Sequence, residues 1–260
     1  MIEAIGVRCL ILWEGVFALV SLFLETVYEL FLQIFCARLR GRECLLQCYS
    51  IAVQSLPVVV FSLTFTSLLM ILEFSYHMKM VLRQDSLVPA FSTMLMLREL
   101  GPVVTCVLLT SRVGASIAAE IATMKVTEQL DALRQLSLDP IEFLIIPRWI
   151  ASVLAAVCLS VISIGVAILA GASIASVSLN YPVGQFFNTM FVFARFTDFY
   201  DCMIKAAVFG TLIPIIACHH GLRCKLGAQA VGNATTAAVV QGTMCIIGSD
   251  FILTYLLYAV

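Results

Sequence analysis

The sequence predicts an all-α integral membrane protein with about five spanning helices, a helix lying along the membrane surface at the N-terminus, and a short cytoplasmic helix between two spans. Three observations carry this reading. Apolar residues make up 62% of 260 positions and charged residues 12%, a balance far from that of soluble domains. Long stretches carry no charge at all. The few charges that remain fall in short clusters between those stretches.

A helix crossing roughly 30 Å of hydrocarbon needs about 20 apolar residues. Tyr49 to Leu72, Trp149 to Tyr181 and about Thr235 to Phe251 meet this requirement, with Asp250 the one interruption. Two further spans carry charges: Val88 to Ala119 holds Arg98, Glu99 and Arg112, and Cys202 to Cys218 holds Lys205 near its start.

Residues 1–36 are apolar too, but Glu3, Glu14 and Glu25 recur every eleven residues. That spacing returns them to nearly one line of a helix, and Ser21 falls on the same line. An apolar helix with one acidic stripe suits the interface, although a first spanning helix tolerating its glutamates is the alternative. Glu3 and Glu14 also argue against a cleaved signal peptide. No repeat or low-complexity linker divides the chain, which reads as one domain.

Lys and Arg in short loops set the orientation. Arg38, Arg40 and Arg42, then Lys125, Arg134 and Arg148, then Arg223 and Lys225 mark one side; Lys79, Arg83 and Arg195 mark the other. The N-terminus is thereby expected in the cytoplasm and the C-terminus on the opposite side. The net charge of −1 excludes the basic surplus that nucleic-acid binding needs. Of the ten cysteines, Cys106, Cys158 and Cys245 lie in apolar spans and Cys36, Cys44, Cys48, Cys218 and Cys224 near the cytoplasm, which argues against a disulfide framework. In "CHHGLRC", Cys218, His219, His220 and Cys224 have metal-binding residue types, but the spacing is not that of a structural zinc site; a basic cytoplasmic loop is the expectation.

Residues 119–140, "AEIATMKVTEQLDALRQLSLDP", form the longest polar stretch. Leu130 and Leu133 share a helix face, Asp131 and Arg134 are spaced for an i,i+3 pair, and Asp139, Pro140 and Glu142 form a start signal for the next helix. This reads as a rigid short helix. It is either a solvated connector or a docking element presenting Met124, Lys125, Glu128, Gln129 and Leu133.

Arg98, Glu99, Gly101 and Pro102 interrupt an apolar helix. Counted from Glu120 at about 1.5 Å per residue, Arg98 lies roughly 33 Å up the helix, toward the far leaflet. Pro102 donates no N–H to the Arg98 carbonyl, so the helix should loosen there, with Gly101 easing the bend, and that carbonyl needs another partner. Adjacent helical residues point about 100° apart, so Arg98 and Glu99 require separate partners. Arg98 is a candidate reader of a lipid headgroup, since a guanidinium matches phosphate geometry, with Glu99 ordering that site. A structural pair with Asp198, Asp201 or Asp250 is the competing role. Asp250 itself reads as a packing partner, because no second titratable group is aligned with it. Gly165, Ala167, Gly171 and Ala175 give the third span a small-residue face suited to close packing, within the chain or across a dimer.

"LRELGPVVTCVLLTSRVGASIAAEIATMKVTEQLDALRQLSLDPIEFLIIPR", residues 97–148, resembles the signature region of MlaE/YrbE-type permeases, the membrane subunits of MCE-linked ABC transporters. "GAQAVGNATTAAVVQGTMCIIGSDFILT", residues 227–254, is similar to that family's C-terminal stretch. Ser111 and Ala122 depart from glycines common in the family. The resemblance implies a homodimer in a bacterial inner membrane that moves phospholipid or a related lipid with an MCE-domain partner. It also implies a coupling helix at about Glu120 to Gln135 that engages a separate ATPase. No P-loop pattern occurs in the sequence, so ATP and magnesium would be held on that other chain, with no cofactor or metal on this one. The competing reading is an ion-coupled secondary transporter or channel using Glu99 and Asp250; a lipid enzyme is weaker, since no acid, base and nucleophile converge.

Overall fold

The computed structural model describes residues 17–30, 32, 41–81, 87–137 and 139–258. Among them every regular element is helical. Residues 17–30 form α1; α2 is Gly41–Val81, α3 is Val88–Val126, α4 is Gln129–Gln135, α5 is Ile141–Ser178, α6 is Val183–Phe193, α7 is Phe196–Leu222 and α8 is Ala228–Tyr258. The stretch Gly41–Met78 of α2, together with α3, α5, α7 and α8, is long and apolar enough to cross a membrane, which gives the five expected spans.

Of the acidic line on the first helix, Glu3 and Glu14 lie outside the described residues, as do 1–16, 31 and 33–36 of the segment expected to lie flat. Glu25 is exposed beside an apolar row of Phe17, Val20, Leu24 and Tyr28, while Leu22 and Thr26 are buried.

The chain forms two compact units. The first comprises Met1–Cys48, Thr110–Ser152 and Thr211–Met244; the second comprises Tyr49–Leu109, Val153–Gly210 and Cys245–Val260. In the second unit Val59 and Leu63 of α2 pack with Met96 of α3 and Ala167 of α5. Ile71 packs with Val88, Ala172, Ala175 and Phe186 of α6. The small-residue face of α5 is largely spent within the chain. Ser67 donates to the Ala167 carbonyl at 2.6 Å, and Gly171 lies against Ser67 and Ile71, the close approach that small residues permit. Thr105 and Ser163, 3.3 Å apart, join α3 to α5. Gly165 has open space where a side chain would be.

The irregularity expected at Gly101 and Pro102 takes the form of a π turn over Met96–Leu100, in which the Gly101 N–H reaches the Met96 carbonyl. Gly101 is helical (φ −56°, ψ −63°), so its role is space: a Cβ there would lie 2.4 Å from Ile164 Cδ1.

In the first unit Ala122, Cys224 and Ala234 form a core with Val126, Ala230 and Val231 packed on it. The polar stretch 119–140 is not one helix. Its first residues continue α3 to Val126, the chain reverses through Thr127 and Glu128, the latter left-handed at φ 59°, and α4 takes only Gln129–Gln135. Asp139 starts the next helix as expected, accepting from the Ile141 N–H at 2.9 Å.

Two boundaries also differ from the sequence reading. The stretch read as a loop from Cys218 is helical through Leu222 and again from Ala228; the Lys125 ammonium donates to the Leu222 carbonyl and so satisfies an orphan group at that helix end. At its start α7 extends back to Phe196, because the Arg195 N–H donates to Asp198 Oδ2 and the Asp198 N–H to the Arg195 carbonyl, both at 3.0 Å. Lys205 therefore sits within the helix. The short helix α6 was not anticipated.

Gly101→Ala should lower the thermal midpoint of the detergent-solubilised chain, since both Ile164 and the Met96 carbonyl must move to admit the methyl, a cost of about 1–3 kcal/mol. Gly165→Ala meets nothing and gains helix propensity, so it should leave the midpoint unchanged or raised.

Candidate functional site

The second unit buries a cluster of charges around Lys205, which is 0% exposed. A proline inside a helix leaves the carbonyl four residues earlier without its usual donor. Here that carbonyl belongs to Arg98, and the Lys205 ammonium donates to it at 2.9 Å. The same ammonium bonds both carboxylate oxygens of Glu99 at 3.1 Å and donates to Thr254 Oγ1 at 2.7 Å. Thr254 in turn donates to Glu99 at 3.1 Å. Asp250 Oδ1 lies 2.9 Å from Lys205 Nζ; the contact is an ion pair without hydrogen-bond alignment, since Oδ1 makes no hydrogen bond. Asp250 thus does have titratable neighbours, contrary to the sequence reading, because α7 brings Lys205 to it.

Arg98 and Glu99 do take separate partners. The Arg98 Nε and Nη2 both reach Asp198 Oδ1 at 2.8 Å. Asp198 is 2% exposed and Arg98 30%, and the guanidinium lies 4.6 Å from the centre of the Tyr258 ring, within cation–π range. Asp198 is one of the three carboxylates that the sequence offers for a structural pair. Arg98 and Lys205 are thus paired with Glu99, Asp198 and Asp250.

Lys205, Thr254 and Tyr258 were not singled out as site residues in the sequence, and Asp198 was offered only as one of three partners for Arg98. The signal for them is spacing. Asp250, Thr254 and Tyr258 follow one another at four-residue intervals on α8, and Asp198 and Lys205 are seven apart on α7, so each set shares a helix face.

The residues nominated for docking an ATPase lie in the first unit. Glu120 accepts from Arg148 Nη2 at 2.6 Å, and Lys125 is engaged at Leu222. Met124 and Leu133 are half-buried and Leu130 is buried, while Glu128 and Gln129 are exposed. Leu136, just past α4, is 71% exposed. Asp131 and Arg134 approach to 3.7 Å in an exposed pair, a contact of little energetic weight.

No group of three or more His, Cys, Asp or Glu side chains suited to a metal occurs among the described residues. The rings of His219 and His220 stand nearly perpendicular, at 86°; His220 bonds Gln241, and the Cys224 thiol donates to the Lys225 carbonyl at 3.2 Å.

Five apolar spanning helices, with π turns at Met96–Leu100 and Thr110–Gly114 in α3 and at Ile141–Ile145 in α5, the first of them held through a buried ammonium, define an all-α integral membrane protein. Residues 44–256 match the family described as Permease MlaE. A "Probable ABC transporter permease protein" of Rickettsia typhi is 39% identical over 210 residues, 81% of each chain. One of Synechocystis sp. is 35% identical over 234 residues, 88% of this chain and 87% of the relative. One of Porphyra purpurea is 34% identical over 212 residues, 82% of this chain and 80% of the relative. The chain belongs to the MlaE permease family and is an ABC transporter permease.

Lys205→Met would leave the half-buried Glu99 and Asp250, 29% and 18% exposed, without the ammonium between them. The expected loss is below the roughly 3–5 kcal/mol of a fully buried pair, read as a lowered thermal midpoint or membrane yield. Adding Glu99→Gln to that variant should recover part of the loss.

Proposed function

We propose that this permease moves phospholipid or a related lipid in a bacterial inner membrane, as a homodimer that acts with a separate ATPase holding ATP and magnesium and with an MCE-domain protein on the far side. The chain serves as one permease domain without ATP chemistry of its own. Its N-terminus faces the cytoplasm and its C-terminus the opposite side, following the Lys and Arg asymmetry. The observation that carries the reading is the family match over residues 44–256, which includes α4 and both helices flanking it.

Within this reading α4 and the turn before it are the coupling element. Glu128 and Gln129 are free to face a partner, Leu136 offers an exposed apolar contact, and Met124 and Leu133 supply its half-buried edge. Glu120 and Lys125 act from within the chain: through Arg148 and Leu222 they hold the ends of neighbouring helices. A push on α4 would then be passed to α3 across a two-residue turn.

At the other proposed site, Arg98 meets lipid through its exposed edge while Asp198 fixes its plane, and Glu99 orders the site through Lys205 and Thr254. The ion-coupled alternative draws on Glu99 and Asp250, which do converge. The Lys205 ammonium, however, already occupies the position between them that a transported cation would take, which favours a positioning role for the pair.

Purification of the tagged chain from its native membrane should bring down an ATP-binding subunit, and Glu128→Lys, on an exposed turn, should lose it while remaining folded. A parent chain that arrives without an ATPase would overturn the reading.

A further inference from the structure

A groove of about 490 Å³ lies in the second unit beside the turn from α6 to α7. Its floor is apolar, with Leu97 and Met190 buried and Phe199 half-buried. Its rim carries Phe191, Phe196 and Tyr200, of which Phe196 is 89% exposed. Arg195 is the one charged residue that lines it.

We propose that this groove holds an acyl chain of a membrane phospholipid whose phosphate is bound by Arg195. The backbone around Arg195 is fixed on both sides: its N–H donates to Asp198 Oδ2 and its carbonyl accepts from the Asp198 N–H. The other Asp198 oxygen is taken by Arg98. Asp198 is thereby committed elsewhere, and the exposed Arg195 guanidinium has no side-chain partner among the described residues. An unengaged guanidinium beside an apolar trough, on a chain whose helices span a membrane, matches a phosphate joined to a hydrocarbon chain. Aromatic residues such as Phe196 and Tyr200 at the rim suit the headgroup boundary.

The inference goes beyond the transport reading and does not rest on it, since this lipid would be held whether or not an ATPase is bound.

The test is native mass spectrometry of the full chain in mild detergent, titrated with phosphatidylglycerol. The parent should bind one lipid per protomer at the groove with saturation, counted separately from any lipid held at Arg98. Arg195→Ala, which removes an exposed side chain and leaves the Asp198 bonds to the backbone intact, should weaken that binding about tenfold or more, as expected for loss of a charge-assisted hydrogen bond. Arg195→Lys should retain most of the affinity. Glycerol 3-phosphate, which has the anion without the chain, should not displace the lipid at equal concentration. Unchanged binding by a monodisperse Arg195→Ala protein, no saturable binding by the parent, or displacement by glycerol 3-phosphate would each overturn the proposal. A photoreactive residue replacing Phe196 should capture lipid in native membranes; capture of a protein helix in its place would also overturn it.

Discussion

One hydrogen bond organises the second unit: the Lys205 ammonium on α7 donates to the Arg98 carbonyl on α3. In hydrocarbon a backbone carbonyl deprived of its donor has no water to turn to, and Pro102 creates such a carbonyl. An ammonium there is costly unless it is paired, so it brings Glu99 and Asp250 with it. Each charge in the cluster is thus a consequence of the one before, and the chain of consequences begins with a proline. The π turn, the buried lysine and the two carboxylates form one solution to a single missing N–H.

The same logic reaches the turn between α6 and α7. Arg98 is held by Asp198, and Asp198 also binds the backbone of Arg195. The guanidinium on α3 and the first turn of α7 therefore share one carboxylate. The first unit uses a milder version of the device, in which Lys125 closes the end of α7 at Leu222 and Arg148 ties the start of α5 to Glu120.

Much of this was legible in the residues. Three spans followed from nearly charge-free length and two more from apolar length despite their charges, the need of the Arg98 carbonyl for a partner followed from Pro102, and separate partners for Arg98 and Glu99 followed from helical geometry. The partners' identities were harder to read, because nothing local to residue 98 names a lysine 107 positions later. The face formed by Asp250, Thr254 and Tyr258 was readable as a four-residue spacing, but Thr and Tyr in an apolar helix are common and carry no flag. Boundaries were missed where side chains substitute for backbone partners. Lys125 lets α7 run on to Leu222, and Asp198 starts it earlier than hydropathy suggests. The helix α6 was hidden because its apolar residues follow Tyr181 and Pro182, where the preceding span had been taken to end.

The π turn at Met96–Leu100 has a further consequence for how this family member can change. A wide turn uses one residue more than a regular one, so the residues before it are out of phase with those after it by about 100°. Val88 and Met96 face their α2 and α5 neighbours in one phase, while Thr105 meets Ser163 in the other. Losing one residue here would remove the wide turn, yet it would turn one half of the span away from its contacts. The residue count between Val88 and Thr105 is therefore constrained more tightly than the identity of most side chains in it, and drift in this segment should proceed by substitution and not by insertion or deletion.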